Sequence, residues 1–433
     1  MFLARLLVLF SLVCISCAHS SFEQKQLKHA LDFATSNRLE LEILLQHYTY
    51  DSLKLEAAKF LIRNMPHCYS YQQGGEMDSV KRVRTYYSPF GQIDQTYARR
   101  WGHYTYRNLP KIYDAHIITA EYLIDNIDRA FDNWQKRPWN RSLSFEDFCE
   151  YLLPYRIGDE PLEEWRELYE KKYGYLLDSI YKGSDVVEAA NLVSRHLQEP
   201  VFIYCEDFEL PHIGPRYLFS HRYGSCVDAA DIVTYAFRAV GIPCMEDTDA
   251  RGGHVWNVVR DTTGRDVPIW YIASEAVRGS RDTGGYKRGK VYRPMYGFQE
   301  EKAAHLGDDW KSMPLLFYHP YMKDVSYAYY PDTLRILTGI PDDEVCYLAH
   351  FHEAHWWSCA CARSASGKME IPNLESELVY LPMKYTKGNY YPSGFPFWFA
   401  GGEINTFLPD WEKTVKVRLY RKYPVYGWLR SFM

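Results

Sequence analysis

The sequence predicts an α+β protein in which helices precede a central helix-and-hairpin segment and an antiparallel β-sandwich follows. Apolar residues recur at helical spacing through residues 22–64. An apolar helix and a strand hairpin follow between residues 220 and 275, and apolar alternation begins near residue 310. We divide the chain into a leader (1–17), a mostly helical region (22–140), a core (141–300) and a C-terminal β-sandwich (310–433).

Three short amphipathic helices are predicted at the start of the helical region. Their apolar residues are three or four positions apart: Leu27, Ala30, Leu31 and Ala34; Leu41, Leu44, Leu45 and Tyr48; Leu53, Ala57, Phe60 and Leu61. Asp51 is the predicted N-cap of the third helix, which ends before Pro66. Residues 65–140 are rich in Tyr and Arg without a regular period, so we assign them loops and some helix.

Helix signals become clear again in the core segment. Ser144 and Asp147 form a capping-box pattern before an apolar run that Pro154 ends. A second helix is predicted over 162–173, and Asp185 opens a third.

Alternating apolar residues separated by turns predict the C-terminal sandwich. The predicted strands are Val345–Phe351, Leu378–Leu381, Phe395–Phe399 and Val415–Leu419, and the predicted turns are Lys387–Asn389 and Gly401–Gly402. The segment has the size of a β-sandwich module.

The chemically informative stretch begins with Gly224-Ser225-Cys226, which runs directly into an apolar helix that Gly241 and Pro243 end. Cys226 is therefore expected at or near a helix N-terminus. The unpaired N–H groups and the dipole at that end favour the thiolate, the reactive form of cysteine, and the same N–H groups can stabilise an oxyanion.

A strand hairpin follows the helix. His254 stands near the start of the first strand, Thr263-Gly264 lies in the turn, and residues 267–273 form the returning strand. Folding about this turn brings residues near 272–275 opposite His254, so Glu275 is a candidate for orienting its imidazole. Asp261 and Asp266 lie nearer the turn.

The order Gly-x-Cys at a helix start, then Gly241-Ile242-Pro243, then Gly253-His254-x-Trp256 on a strand resembles the transglutaminase-like superfamily. The resemblance is to its bacterial envelope lipoprotein branch, as in Bacteroides-type bacteria. It is strongest over residues 218–275 and extends in weaker form back to about residue 145. It implies a papain-like fold, in which a Cys-bearing helix packs on a sheet that carries His and an acid.

Carried over to this sequence, the resemblance makes Cys226 the nucleophile and His254 the base. No metal or cofactor is expected. The family pattern Trp-x-x-x-Asp gives Trp270 and then Ser274 here, with Glu275 adjacent. Either Glu275 substitutes for the aspartate or this copy has lost its orienting acid.

The first residues indicate export. Arg5 precedes an apolar run of about ten residues, Leu6 to Ile15, which suits a signal peptide and is too short to span a bilayer. Ile15-Ser16-Cys17-Ala18 resembles a bacterial lipoprotein cleavage site, although Cys14 stands where Leu is usual. This predicts lipidation of Cys17 and a membrane attachment in the cell envelope; ordinary signal cleavage nearby is the alternative.

Composition excludes several classes of protein. The net charge of -5 and the lack of a long basic run argue against nucleic acid as a partner. Two of the ten cysteines belong to the leader, and the other eight show no paired CxxC spacing, so a zinc cluster is not expected. His350, His352 and His355 suggest a metal, but a structural role on a strand and its turn is the preferred interpretation.

The expected function is acyl transfer at an amide of a peptide or protein through a Cys226 thioester. Hydrolysis is favoured over crosslinking because no calcium-binding loop is present in the sequence. The rival hypothesis is a degenerate copy that binds a protein or glycan through C-terminal aromatic residues, although these also suit a core: Trp356, Trp357, Tyr390, Tyr391, Phe397 and Trp398. Sequence alone fixes neither substrate nor oligomeric state.

Overall fold

The computed structural model describes residues 22–87, 106–199, 201–204, 210–251, 253–270, 275–281, 287–299, 313–337, 340–352 and 355–413. The chain forms two compact units. The first contains the described residues up to Lys182, Leu210–His221 and Tyr235–Pro243. The second contains the described residues from Gly183 to Glu209, Arg222–Thr234 and those from Cys244 onward.

Helices dominate the N-terminal half. The α-helices are α1 (22–33), α2 (Arg38–His47), α3 (Ser52–Asn64), α4 (Glu76–Tyr87), α5 (Ala120–Lys136), α6 (Phe145–Tyr151), α7 (Arg166–Tyr175), α8 (Val186–Leu197), α9 (Pro215–Ser220), α10 (Cys226–Ala239) and α11 (Leu315–Tyr318). A π-helical turn, Leu176–Ile180, continues α7. Short 3-10 helices lie at Thr35–Asn37, Met65–His67, Tyr106–Asn108, Asp114–His116, Pro138–Ser142 and Ser326–Ala328.

Strands dominate the C-terminal half. They are β1 (Tyr69–Tyr71), β2 (Lys111–Tyr113), β3 (Ile203–Tyr204), β4 (Tyr223–Gly224), β5 (Cys244–Asp249), β6 (Val255–Arg260), β7 (Asp266–Ile269), β8 (Val291–Pro294), β9 (Met322–Asp324), β10 (Asp332–Leu337), β11 (Val345–His352), β12 (His355–Arg363), β13 (Lys368–Leu374), β14 (Leu378–Thr386), β15 (Asn389–Pro392), β16 (Phe397–Ala400) and β17 (Glu403–Thr406).

The core of the first unit forms around α5, whose buried apolar residues include Leu123, Ile127 and Phe131. The Phe131 ring meets Phe148 of α6 edge-on, with 4.7 Å between ring centroids. Trp134 stacks on Phe148 at 4.3 Å. Such aromatic contacts bury a large area and add directional packing, so α5 and α6 are held together by their apolar faces.

A buried arginine binds the backbone directly after α6. The Arg166 guanidinium donates to the carbonyls of Leu152 (2.6 Å), Leu153 (3.0 Å) and Pro154 (3.1 Å). Its Nε donates to Asn126 Oδ1 at 2.5 Å. These carbonyls belong to residues that follow the last residue of α6, Tyr151, and the cation satisfies them where water is excluded.

The second unit contains the larger sheets. A five-stranded antiparallel sheet has the order β7-β6-β5-β8-β9. A second antiparallel sheet has the order β12-β11-β14-β16-β17, with β15 also paired to β14, and β10 pairs with β13. Strand β8 of the first sheet shares one apolar core with the C-terminal strands: Tyr292 lies in a cluster with Leu348, Tyr380 and Phe399. Its hydroxyl donates to the Cys359 carbonyl at 2.8 Å.

The structure confirms the α+β class, with N-terminal helices and C-terminal antiparallel sheets. The predicted N-caps are confirmed: Asp51 accepts from Lys54 N, Ser144 from Asp147 N and Asp185 from Val187 N. The predicted strand at Val415–Leu419 lies outside the described residues.

One helix assignment needed correction. The helix predicted over 162–173 begins only at Arg166, and the Glu163 carbonyl before it accepts from the Tyr122 hydroxyl at 3.1 Å. The stretch 65–140, predicted as loops and some helix, contains the 17-residue helix α5, whose buried face includes Asn126 and Asn133.

Candidate active site

Cys226 is the first residue of α10 and is 2% exposed. The residues beside it form a capping box. Ser225 Oγ accepts from Val227 N at 3.3 Å, and the Asp228 carboxylate accepts from Ser225 N at 2.7 Å and from Ser225 Oγ at 3.1 Å. This arrangement satisfies N–H groups at the helix start and fixes where the helix begins, so the predicted helix-terminal position of Cys226 is confirmed.

Gly224 is required by the same arrangement. Its φ is +151°, and a Cβ atom placed there would lie 2.2 Å from Asp228 Oδ2. Any side chain would therefore displace the capping carboxylate. The Gly-x-Cys pattern therefore needs glycine at its first position, because the Asp228 carboxylate that caps α10 occupies the space of a side chain there.

A buried amide joins the Cys226 helix to the strand that follows His254. Asn257 of β6 is 1% exposed, and its Nδ2 donates to the Ala230 carbonyl (3.1 Å) and to Thr234 Oγ1 (2.9 Å). The Thr234 hydroxyl in turn donates to Glu246 Oε1 of β5 at 2.7 Å. Buried hydrogen bonds of this kind have defined geometry, so the helix turn after Cys226 is fixed against the sheet.

His254 immediately precedes β6 and is 8% exposed. Its ring meets Trp270 edge-on, with 4.5 Å between ring centroids, and lies 5.6 Å from the Trp256 ring. Its backbone carbonyl accepts from Thr248 Oγ1 at 3.0 Å and from Asp249 N at 3.3 Å. Both the backbone and the ring of His254 are thus held by neighbouring strands.

The predicted hairpin is confirmed. β6 pairs with β7 from Arg260↔Asp266 to Asn257↔Ile269. Asp261 Oδ1 closes the turn by accepting from Thr263 N at 2.8 Å and Arg265 N at 3.0 Å.

Glu275 makes an exposed ion pair with Arg195 of α8, 2.6 Å between Oε1 and Nη1. The adjacent Ala276 exchanges two hydrogen bonds with Asn191 of the same helix. Ser274 lies outside the described residues. The role of Glu275 in orienting His254 stays a prediction.

Trp256 is hydrogen-bonded to a buried ionic network that was not predicted from the sequence. Trp256 Nε1 donates to Tyr329 Oη at 2.9 Å, and Tyr329 donates to Asp247 Oδ2 at 2.6 Å. Arg293 donates to both Asp247 oxygens, at 2.6 and 3.0 Å, and to Asp266 at 2.7 Å. Burial raises the pKa of Asp247 even with Arg293 beside it. The capping box of Cys226 was visible in the sequence as Ser225-x-x-Asp228, but this network joins residues far apart in the chain.

The other described cysteines with resolved pKa shifts are poor nucleophiles. Burial raises the pKa of Cys346 to about 11 and raises those of Cys149 and Cys359 still further above the ordinary thiol range. In the described part of the chain, cysteines 68, 149, 226, 244, 346, 359 and 361 form no disulfides with one another. A thiolate-selective reagent should therefore react slowly with Cys149, Cys346 and Cys359, whose thiol pKa values are raised.

The C-terminal His and aromatic residues differ in burial. His350 is fully buried, and burial lowers its pKa to about 4. Phe397 is in the core, while Tyr391 is 47% exposed. Within the described ranges, no group of three or more His, Cys, Asp or Glu side chains is suited to hold a metal ion.

Cys17 lies outside the described residues. Among the helices that are described, none combines the length and the apolar composition needed to cross a bilayer. Comparisons with protein-family models, curated proteins and solved structures found no match.

Proposed function

We propose that this chain is an exported thiol enzyme of the transglutaminase-like type, with a papain-like core, in which Cys226 is the nucleophile and His254 the base. One observation carries the proposal: Cys226 opens a capped helix whose next turn is hydrogen-bonded through Asn257 to the strand that begins directly after His254. A nucleophile and a base on two rigid, mutually fixed elements are the parts that thiol catalysis requires.

The proposed reaction is acyl transfer at an amide of a peptide or protein. The Cys226 thiolate attacks the carbonyl carbon, and the Cys226 backbone N–H stabilises the resulting oxyanion. The C–N bond then breaks, His254 gives its proton to the leaving amine, and a thioester remains. Water next attacks the thioester while His254 accepts its proton; the C–S bond breaks, and the carboxylic product leaves with the thiolate–imidazolium pair restored.

Hydrolysis is preferred to crosslinking because the sequence has no calcium-binding loop of the kind a regulated crosslinker uses. Every group in this sequence of steps comes from the protein, the substrate or water. Glu275 is the proposed orienting acid, on the basis of its position after the returning strand.

The test is the rate at which iodoacetamide alkylates Cys226 across pH, followed in the tryptic peptide Tyr223–Arg238, which contains no other cysteine. A thiolate–imidazole pair predicts rapid alkylation near pH 6 and a strong loss of rate in His254→Ala. Cys346→Ala is a matched control, because burial already raises the pKa of that thiol and its removal should not change the Cys226 rate. Cys226 reacting no faster than an ordinary thiol would overturn the catalytic proposal.

A catalytically degenerate binding module is the second candidate. One observation favours it: Glu275 is paired with Arg195 at the surface. In that case Cys226 would be unreactive, and the protein would bind a protein or glycan without converting it. Glu275→Gln decides between the two roles of this carboxylate: a lowered alkylation rate near pH 6 supports orientation of His254, and an unchanged rate assigns Glu275 to the ion pair alone.

Attachment to the cell envelope through lipid on Cys17 is part of the proposal and rests on the N-terminal sequence pattern. Cys17→Ser should move the protein out of the membrane fraction; its retention there would refute the lipid anchor.

A further inference from the structure

The loop between β5 and β6 is organised around one carboxylate. Asp249, the last residue of β5, is fully buried. Its Oδ1 accepts from Arg251 N at 3.0 Å and from Gly253 N at 2.8 Å, and its Oδ2 faces Arg251 Nη2 at 3.2 Å. A buried carboxylate that accepts two backbone N–H groups holds Arg251 and Gly253 in defined positions.

This loop ends at His254. The Asp249 N–H donates to the His254 carbonyl at 3.3 Å, and the hydroxyl of Thr248 donates to the same oxygen at 3.0 Å. Asp249 therefore acts on both ends of the loop: its side chain holds the N–H before His254, and its backbone holds the carbonyl of His254 itself. A substitution at Asp249 removes the side-chain bonds to the backbone before His254 and leaves the backbone bond to the His254 carbonyl in place.

The surroundings of the loop are also charged and packed. The Arg251 guanidinium lies 6.0 Å from the Trp357 ring of β12, which places a cation against an aromatic face. The imidazole of His350 lies close enough to Asp249 and Arg251 for both charges to act on it. Asp249 pairs with Arg251, so loss of the carboxylate removes a countercharge of this cation as well as two backbone hydrogen bonds.

We propose that Asp249 is a positioning residue: it sets the location of the His254 imidazole through the loop 249–254, without touching the reacting atoms. The inference rests on the proposed function, because His254 is there the base. Displacement of a catalytic group by a small distance lowers the rate strongly, so such a residue has a kinetic signature separate from its effect on folding.

The chain offers a matched control at the other end of the same strand. Asp261 follows β6 and closes its turn in the same manner, with Oδ1 accepting from Thr263 N (2.8 Å) and Arg265 N (3.0 Å) and Oδ2 from Arg278 Nε (3.2 Å). Asp249→Ala and Asp261→Ala each remove one carboxylate that holds a loop next to β6. Only the first loop leads into His254.

The experiment measures the pH profile of Cys226 alkylation in both variants and in Asp249→Asn. Asp249→Ala should move the midpoint toward that of a free thiol, about 8.5, and each unit of that shift lowers the rate near pH 6 about tenfold. Asp249→Asn should lie between the wild type and Asp249→Ala, because Oδ1 can still accept both backbone N–H groups. Asp261→Ala should keep the wild-type midpoint. An unchanged midpoint in Asp249→Ala, or an equal shift in Asp261→Ala, would overturn the inference.

A second measurement separates this result from failure of the proposed function. The imidazole NMR signals of His254 are assigned by their disappearance in His254→Ala. Asp249→Ala should shift these signals and Asp261→Ala should not, whether or not Cys226 is reactive. An unreactive wild-type Cys226 with a shifted His254 signal would remove the enzyme proposal and keep the positioning role; an unshifted signal would remove the positioning role.

Discussion

Replacing Arg293 by Met tests the buried ionic network that supports the strands around the candidate site. Arg293 is 2% exposed and Asp247 is fully buried. The substitution removes both guanidinium hydrogen bonds to Asp247, at 2.6 and 3.0 Å, and leaves Tyr329 as its described donor. Asp266 loses its 2.7 Å bond to Arg293 but keeps Arg260 at 3.2 Å.

One buried carboxylate is therefore left without a countercharge, and a second keeps a partner. Breaking a buried ion pair from one side costs about 3–5 kcal/mol, and we expect Arg293→Met to destabilise the second unit by that amount at pH 7. The destabilisation caused by Arg293→Met should become smaller as the pH falls. In the variant, the folded-state pKa of Asp247 rises further above its unfolded value, so protonation favours the folded state at low pH.

The assay is hydrogen exchange of peptides from β6, which reports the opening free energy of the second unit. Arg335→Met is the matched control: Arg335 forms a two-bond pair with Glu370 at 2.8 and 3.1 Å, but the side chains are 68% and 57% exposed, so solvent screens the pair and we expect a much smaller loss of stability. The double variant Asp247→Asn, Arg293→Met should lose the pH dependence of the single variant. A destabilisation of Arg293→Met no larger than that of the control, or one independent of pH, would refute the reasoning.

Two further predictions concern other buried groups. Arg166→Met removes a donor from the buried carbonyls of Leu152 and Leu153 and should destabilise the first unit by at least about 2 kcal/mol in hydrogen exchange of α6. Arg129→Met, a partly exposed control, should cost less than about 1 kcal/mol, and equal losses would contradict the importance of the Arg166 bonds. His350 has a folded-state pKa of about 4, below its unfolded value, so the unfolded chain takes up the proton first and stability should fall by about 1.4 kcal/mol per pH unit between pH ~6.5 and ~4. His350→Leu should remove this component in urea unfolding at pH 7 and pH 5, and an unchanged pH dependence would show that His350 does not carry it.

Local chemistry explains what the sequence predicted well. An N-cap acts on N–H groups two or three residues away, so Asp51, Ser144 and Asp185 could be recognised from a few neighbouring residues. The hairpin of β6 and β7 was predictable for the same reason, since its turn chemistry lies within Asp261–Arg265. The helix start at Cys226 was predictable for the same reason, because its cap lies within residues 225–228.

Long-range contacts explain what the sequence did not predict. Some helix was predicted for residues 65–140, but α5 was not located, because its buried face includes Asn126, which bonds to the Leu153 carbonyl at 2.9 Å and interrupts the apolar pattern. The pairing of Asp247 with Arg293 likewise cannot be predicted from the residues next to either of them in the sequence. In both cases the side chain is chosen by a tertiary partner rather than by local propensity.

The two faces of β6 bear on how a base at its beginning would be held. Successive side chains of a strand point to opposite faces, and the structure gives each face a different buried contact. Asn257 is hydrogen-bonded to the helix that Cys226 opens, whereas Trp256 donates to Tyr329 on the other side. A strand with buried hydrogen bonds on both faces cannot rotate about its axis without breaking one set. The strand that begins directly after His254 is therefore held on both faces, and Asp249 holds the residue directly before His254 through the Gly253 N–H.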